Sequence, residues 1–293
     1  MRVNNSCYED MKIVIYETVQ DFFNENEELL LKKEAVNQLI LFNGYSNKDK
    51  EITKELLFGR VEDEEGVALI FCNVSPYNLL IHNLKEEVDD SIKVLVDYLI
   101  ENKIDISGIN SSKKVCEKFI DYYEEKAKCK FDERLAMDIM ELRKLNQVTL
   151  PKGYFREATE KDLDLIIDWH IKFVKEALNE DMVVEDFIEK LVTRIRNGAI
   201  YIFEDENHIP VSIAASTKQL NNGISVGLVY SDAKKRGIGY GVAVVYNLSK
   251  LYLERGNEFC SLFVDKRNPV SNGVYAKIGY KIIEDNFDYR IVQ

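Results

Sequence analysis

Three spaced glycines behind a basic stretch, Lys234-Lys235-Arg236-Gly237-Ile238-Gly239-Tyr240-Gly241, narrow the folds open to this chain more than any other segment. The run follows an apolar stretch ending in Leu228, Val229 and Tyr230, and it precedes residues 242–255, whose apolar side chains recur at helical spacing. The expected order is strand, basic loop, helix. Glycine lets the backbone take positive φ and approach a ligand closely. A helix start presents unpaired N–H groups and the positive end of its dipole, which suits an anion. Arg236 adds a permanent charge beside it. The reading is a pyrophosphate site belonging to a coenzyme. A turn built only for packing has no need of Lys234, Lys235 and Arg236. A dinucleotide loop has the spacing G-x-G-x-x-G, whereas this run is G-x-G-x-G, although Asp265 stands near where a ribose-binding acid is expected. A Walker loop is excluded, because no Gly-Lys-Ser/Thr ends the run.

The rest of the second half sets the loop in order. Residues 154–158 read as a short strand. Thr159 and Asp162 form a capping-box pair opening a helix to about residue 179, and residues 184–196 form a second helix stopped by Gly198. On the first of these helices, Leu163, Ile166, Ile167, His170, Ile171, Val174 and Leu178 share the expected core face, while Trp169, Phe173 and Glu176 fall on another stripe. Strands are expected at 199–203, 211–217 and 224–230, joined by turn-rich 205–207 and 221–223, so an antiparallel meander delivers the chain to the loop. A dinucleotide loop instead follows the first strand of a long parallel sheet. After the helix come a strand at 259–264, parallel to the one before the loop by the usual crossover, then Asn268-Pro269, a short helix at 271–278 stopped by Gly279, and closing strands at 280–283 and 289–292.

In the first half, residues 11–23 and 27–42 are expected as helices, 67–72 and 77–82 as strands, 88–102 as an amphipathic helix, 104–109 as a strand, 112–126 as a helix and 135–142 as a strand. The segment 83–90 is acidic and lacks glycine. Carboxylates satisfy a helix start by themselves and repel a phosphate. Pro151 and Gly153 mark a linker. The expected fold class is α/β (α+β), a mixed, mostly antiparallel sheet flanked by helices, in tandem domains at 1–147, without a phosphate loop, and 153–293, with one.

A chain of 293 residues is long enough to bury two cores. Its net charge of −12 opposes nucleic-acid binding, which needs basic surface, and mildly favours cationic substrates. The five cysteines are scattered without C-x-x-C spacing, so free thiols in a reducing compartment are expected rather than a zinc site. Residues 1–10 lack the apolar core of a signal peptide, and no apolar run is long enough to span a bilayer. These features lead to the expectation of a cytoplasmic protein with no metal, membrane or nucleic-acid partner.

Two motifs in the second half carry a family resemblance. Arg236-Gly237-Ile238-Gly239-Tyr240-Gly241 matches an R/Q-x-x-G-x-G/A pyrophosphate loop, and Asn268-Pro269-Val270-Ser271-Asn272-Gly273-Val274-Tyr275-Ala276-Lys277-Ile278-Gly279-Tyr280 matches an N-x-x-S-x-x-x-Y-x-K-x-G-aromatic run. In this order and separation they resemble the GNAT N-acetyltransferase superfamily, over about residues 153–293. The first half looks like a degenerate first module of two-module members.

The resemblance implies direct transfer of an acetyl group from acetyl-CoA to a primary amine, on a small molecule or a peptide, in a ternary complex. It places the pyrophosphate on Arg236 and on the backbone of Gly237, Ile238, Gly239, Tyr240 and Gly241. The thioester would meet backbone N–H groups of Leu228, Val229 and Tyr230, and splaying of the 224–230 and 259–264 strands would admit pantetheine. Tyr275 falls where the family has its general acid, with a packed tyrosine as the alternative. Asn268 would contact the coenzyme or hold its loop, against an Asn-Pro turn initiator; Ser271 is a coenzyme contact or a helix N-cap, the cap being favoured. Glu176 is the candidate base, against a solvated glutamate on an interface stripe, and a water chain would also serve. A catalytically silent coenzyme-binding protein and a transferase of longer acyl groups stay open, as does a homodimer.

Overall fold

The computed structural model describes residues 2–5, 11–178, 180–181 and 187–292. The chain divides into two compact units, one of residues 1–137 with 284–293 and the other of residues 138–283. Residues 148–153, read as a linker, carry no helix or strand.

The first unit runs β1 (Arg2–Asn5), β2 (Lys12–Ile15), α1 (Val19–Leu31), α2 (Gln38–Tyr45), β3 (Leu56–Asp63), β4 (Gly66–Val74), β5 (Leu79–Asn83), α3 (Asp89–Glu101), β6 (Gly108–Ser111), α4 (Lys113–Ala127) and the start of β7 (Lys130–Leu142). Its strands follow the order β1-β2-β3-β4-β5-β6, then β13 (Lys281–Val292) and β7. Neighbours from β1 to β5 are antiparallel, β5 and β6 are parallel, and β6 meets β13 antiparallel, with Ser111 opposite Phe287. Both faces of this sheet are covered. On β4, Leu69 and Phe71 pack towards α3 and α4, while Ile70 and Cys72 pack towards α1 and α2. Alternation of side chains along a strand makes that division.

Several sequence expectations are corrected here. Residues 12–15 are a strand and not helix: Ile13, Val14 and Ile15 are all buried in the sheet. The expected helix at 27–42 is two helices with a break at 32–37. β3 stands where no strand was expected, and the strand read at 104–109 is β6 at Gly108–Ser111. The two closing strands are one, β13.

The second unit continues with β8 (Tyr154–Glu157), α5 (Leu163–Leu178), α6 (Ile188–Arg196), β9 (Ile200–Glu204), β10 (Pro210–Gln219), β11 (Gly223–Ser231), α7 (Tyr240–Glu254), β12 (Phe259–Asp265) and α8 (Pro269–Ile278). The strand order is β7-β12-β11-β10-β9-β8. β8 to β11 form the expected antiparallel meander, and β11 and β12 are parallel. The capping box ahead of α5 is formed: Asp162 accepts from Thr159 N at 2.8 Å, and Arg156 joins it at 2.8 Å. Asn179 and residues 184–186, which the sequence reading put in helices, lie outside the described residues. α5 and α6 cover one sheet face through Ile166, Trp169, Leu191 and Ile195. α7 covers the other through Val244, Val245 and Leu248. Cys72, Cys116 and Cys260 are buried free thiols, and Cys7 lies outside the described residues. Among the described residues no helix is long and apolar enough to cross a membrane.

Candidate active site

The centre of the second unit is an irregularity in β11. Between Ile213↔Tyr230 and Ala215↔Gly227 the ladder advances two residues on β10 and three on β11. One extra residue therefore sits in β11, a β-bulge. Leu228 has φ of +50°. A non-glycine residue in that region costs about 1–2 kcal/mol, an amount that burying a leucine side chain offsets at about 2 kcal/mol. Leu228 is 5% exposed, so the strain is held by packing. The bulge also reverses the strand's phase. Ile224 and Val226 pack on the α7 face, whereas Leu228 and Tyr230 pack on the α5 face.

The other edge of β11 opens at nearly the same level. β11 pairs with β12 only from Gly223↔Phe259 to Ser225↔Ser261, although both strands continue, to Ser231 and Asp265. Among the described residues the β11–β12 ladder ends at Ser225, so residues 226–230 have no ladder partner on β12. The Ser261 hydroxyl at this fork is fully buried and finds no hydrogen-bond partner among the described residues. A buried unpaired hydroxyl is unfavourable, and here it marks the mouth of the gap. This is the splay that the resemblance implied.

β11 then enters the glycine loop. Asp232 caps a single 3-10 turn by accepting from Lys234 N at 2.9 Å. Gly237 and Gly239 have φ of +83° and +100°, which glycine takes without strain. Gly239 is the residue at which α7 starts, so the first N–H groups of that helix face the end of the loop. A Cβ at Gly237 would meet nothing within 4 Å, so the loop is open there. Ile238 is exposed, and Tyr240 packs against Phe203 with ring centres 5.9 Å apart. The residues fit a pyrophosphate: open backbone, a helix start and a guanidinium converge.

The Arg236 guanidinium is engaged in this structure. Its Nε donates to Ser231 O at 3.2 Å, and its Nη2 donates to both carboxylate oxygens of Glu176 at 3.1 and 2.8 Å. It also lies 5.2 Å from the centre of the Tyr230 ring. The structure thus brings Glu176 to the loop. Trp169, on the stripe that the sequence set apart from the core, is 5% exposed and packs near Tyr230, with ring centres 5.8 Å apart. Phe173 is partly buried with them. His170 packs against Phe187 at 5.0 Å, and its buried Nδ1 finds no hydrogen-bond partner among the described residues; burial first, then the nearby Arg194, lowers its pKa. His208 stacks on Tyr154 at 4.1 Å in its hairpin.

α8 carries the second motif. Asn268, not Ser271, is its cap: the Asn268 Oδ1 accepts from Ser271 N at 3.0 Å, with Pro269 at the first helical position. Proline suits that position because its missing N–H would be unpaired there anyway. Tyr275 is 7% exposed, its ring 5.9 Å from that of Tyr280, and burial raises its pKa well above that of a free phenol. The phenol is therefore protonated at neutral pH. Gly279, at φ of +120°, ends the helix; a Cβ there would come within 2.8 Å of Lys144 O.

The bulge is the feature of this candidate site that sequence reasoning missed. Gly227 beside it was a signal, because glycine inside a strand pattern often marks a bulge.

The FR47-like protein family model matches residues 209–289, the stretch from β10 to the end of the site. No curated protein matches the chain in sequence. Among solved structures, a GCN5-related N-acetyltransferase from Sphaerobacter thermophilus superposes with a TM-score of 0.62 at 11% identity, covering 96% of this chain and 95% of that one. An acetyltransferase of the GNAT family from Colwellia psychrerythraea gives 0.54 at 10% identity, covering 96% and 99%. The splayed strand, the glycine loop, the family model and the whole-chain superpositions agree: this is a protein of the GNAT fold, with an FR47-like segment over residues 209–289.

Proposed function

We propose that the second unit transfers an acetyl group from acetyl-CoA to a primary amine. The observation that carries this reading is the fork of β11 from β12 after Ser225, with the bulge at Leu228 running directly into the basic glycine loop. A thioester donor needs three things: a seat for phosphates, a slot for an extended arm, and donors for a developing oxyanion. This segment offers all three in sequence. Arg236 and the backbone of Gly237 to Gly241 hold the pyrophosphate. The unpaired edge of β11 takes the pantetheine amides. The backbone N–H groups of Leu228, Val229 and Tyr230 are the candidates for the oxyanion.

Acetyl-CoA supplies an activated carbonyl and a thiolate leaving group. The protein's part in the departure of that thiolate falls to Tyr275, whose buried phenol is protonated and able to donate. Asn268 holds the start of α8 and so the placement of Tyr275; Ser271 offers its backbone to that cap. The amine has to lose a proton. Glu176 was the carboxylate suggested by sequence, but its pairing with Arg236 sets it beside the phosphate loop. A water relay is the better acceptor for that proton. The acceptor is a small molecule or a peptide.

The test is calorimetric binding of acetyl-CoA to the full chain, then release of free thiol over a panel of amines and peptides. Thiol release dependent on one amine class supports the reading. Tight binding with no turnover on any acceptor would leave a coenzyme-binding protein without transfer, and turnover with longer acyl-CoA only would change the donor.

A further inference from the structure

We infer that Glu176 occupies Arg236 in the place of the coenzyme's phosphate, and that coenzyme binding proceeds by exchange of one anion for the other. The inference rests on the coenzyme reading above.

Two of the loop's three cations are already met by carboxylates. Arg236 is bound by both oxygens of Glu176, and Lys235 lies 3.5 Å from Asp205. The other two cations of this stretch of α5 are matched locally, Lys172 by Asp168 and Lys175 by Asp181, so Glu176 is the α5 carboxylate that reaches across to the loop. Arg236 is held on three sides: Ser231 O on Nε, Glu176 on Nη2, and the Tyr230 ring at 5.2 Å. This is a fixed geometry and it points at α5.

A phosphate arriving at the loop meets a guanidinium whose charge is already balanced. It either displaces Glu176 or binds with a carboxylate beside it; both weaken its hold. A coenzyme A pyrophosphate has more charge than a carboxylate and also reaches the first N–H groups of α7, so it wins the exchange. A lone inorganic phosphate has no arm along β11 to help it. Glu176 is half exposed, so the pair is worth little to folding, and its main consequence is for the occupancy of Arg236. Glu176 is on this account a specificity-determining residue: it sets a threshold that only a ligand with further contacts passes.

The test is a double-mutant cycle on coenzyme A affinity, by calorimetry at low salt, with wild type, Glu176→Gln, Arg236→Gln and the double variant. Pantetheine, which lacks the phosphates, is the control ligand. Glu176→Gln should bind coenzyme A about fivefold more tightly, the range of a solvent-exposed ion pair. The gain should vanish in the Arg236→Gln background and be absent for pantetheine. Coenzyme A binding by Glu176→Gln that is equal to wild type, or weaker, overturns the inference while leaving the coenzyme site intact. An equal gain for pantetheine also overturns it. Failure of all four folded proteins to bind coenzyme A overturns the coenzyme reading and this inference together.

Discussion

Each unit has a parallel strand pair with a helix as its crossover, and the two are built to opposite ends. In the first, β5 keeps an unbroken register with β4 from Leu69↔Asn83 to Cys72↔Leu80, and α3 opens on Asp89 and Asp90. Lys118 pairs with Asp89 at 2.8 Å. Across the β5–β6 gap, the Ser111 hydroxyl donates to Ile81 O at 2.7 Å and closes it. In the second, β11 is bulged, the helix opens on glycines behind a basic run, and Ser261 at the fork has no partner among the described residues. One crossover spends its polar groups on itself. The other leaves them for a ligand. The difference lies in one inserted residue and in the sign of the charges at a helix start, and not in the strand order.

That contrast can be broken at several places. The largest effect is expected at Tyr275→Phe, which should lower turnover about a thousandfold while leaving acetyl-CoA affinity within about twofold; stopped-flow thiol release and calorimetry measure the two, and unchanged turnover removes Tyr275 as the acid. Next is a pH effect confined to the first unit. Burial, helped by Lys33, pushes the His82 pKa from 6.5 to about 4. The folded state therefore resists a proton that the unfolded chain takes up. Stability is full above pH 6.5, falls as the pH drops from there towards 4, and loses up to about 3 kcal/mol. His82→Gln should flatten denaturant midpoints across that window; an unchanged slope would show that His82 protonates readily when folded.

Arg236→Glu should weaken coenzyme A binding about thirtyfold by reversing charge at the phosphates, and unchanged affinity would remove the pyrophosphate seat. The smallest effects are the most direct comparison. Ser111→Ala should cost about 1–2 kcal/mol, because it strands the buried Ile81 carbonyl, whereas Ser261→Ala should change stability by less than about 0.5 kcal/mol. Equal costs in urea unfolding would mean that the two forks are alike.

The glycine loop, the meander, the crossover and the α8 motif were all legible, because each depends on a residue type whose reason is local: glycine for positive φ and for a helix stop, alternation for strands; the start of α8 was read at Ser271, three residues beyond its asparagine cap. The bulge was harder to see. Its positive φ falls on Leu228, a residue with no preference for it, and tertiary packing enforces it. The missed phase reversal also explains Trp169. Heptad spacing set it apart from the core, but the bulge turns Tyr230 and Leu228 to the α5 face and so creates the surface that buries it. Likewise β2 read as helix because Ile13, Val14 and Ile15 form an apolar run too short for periodicity to decide, and β3 was hidden by Gly59 and by the charges of Arg60, Glu62 and Asp63, of which Arg60 pairs with Glu62 and Asp63 with Lys85.

The return of residues 284–293 to the first unit has a consequence for synthesis. Phe287 belongs to the core that α3 and α4 cover, and residues 287–290 pair with β6. During translation the ribosome emits β6 long before it emits that partner. For the time taken to make some 170 further residues, β6 has an open edge, and the nascent chain carries an incomplete hydrophobic layer that chaperones or the unpaired strand of another chain can reach. Loss of residues 284–293 would therefore damage the first unit.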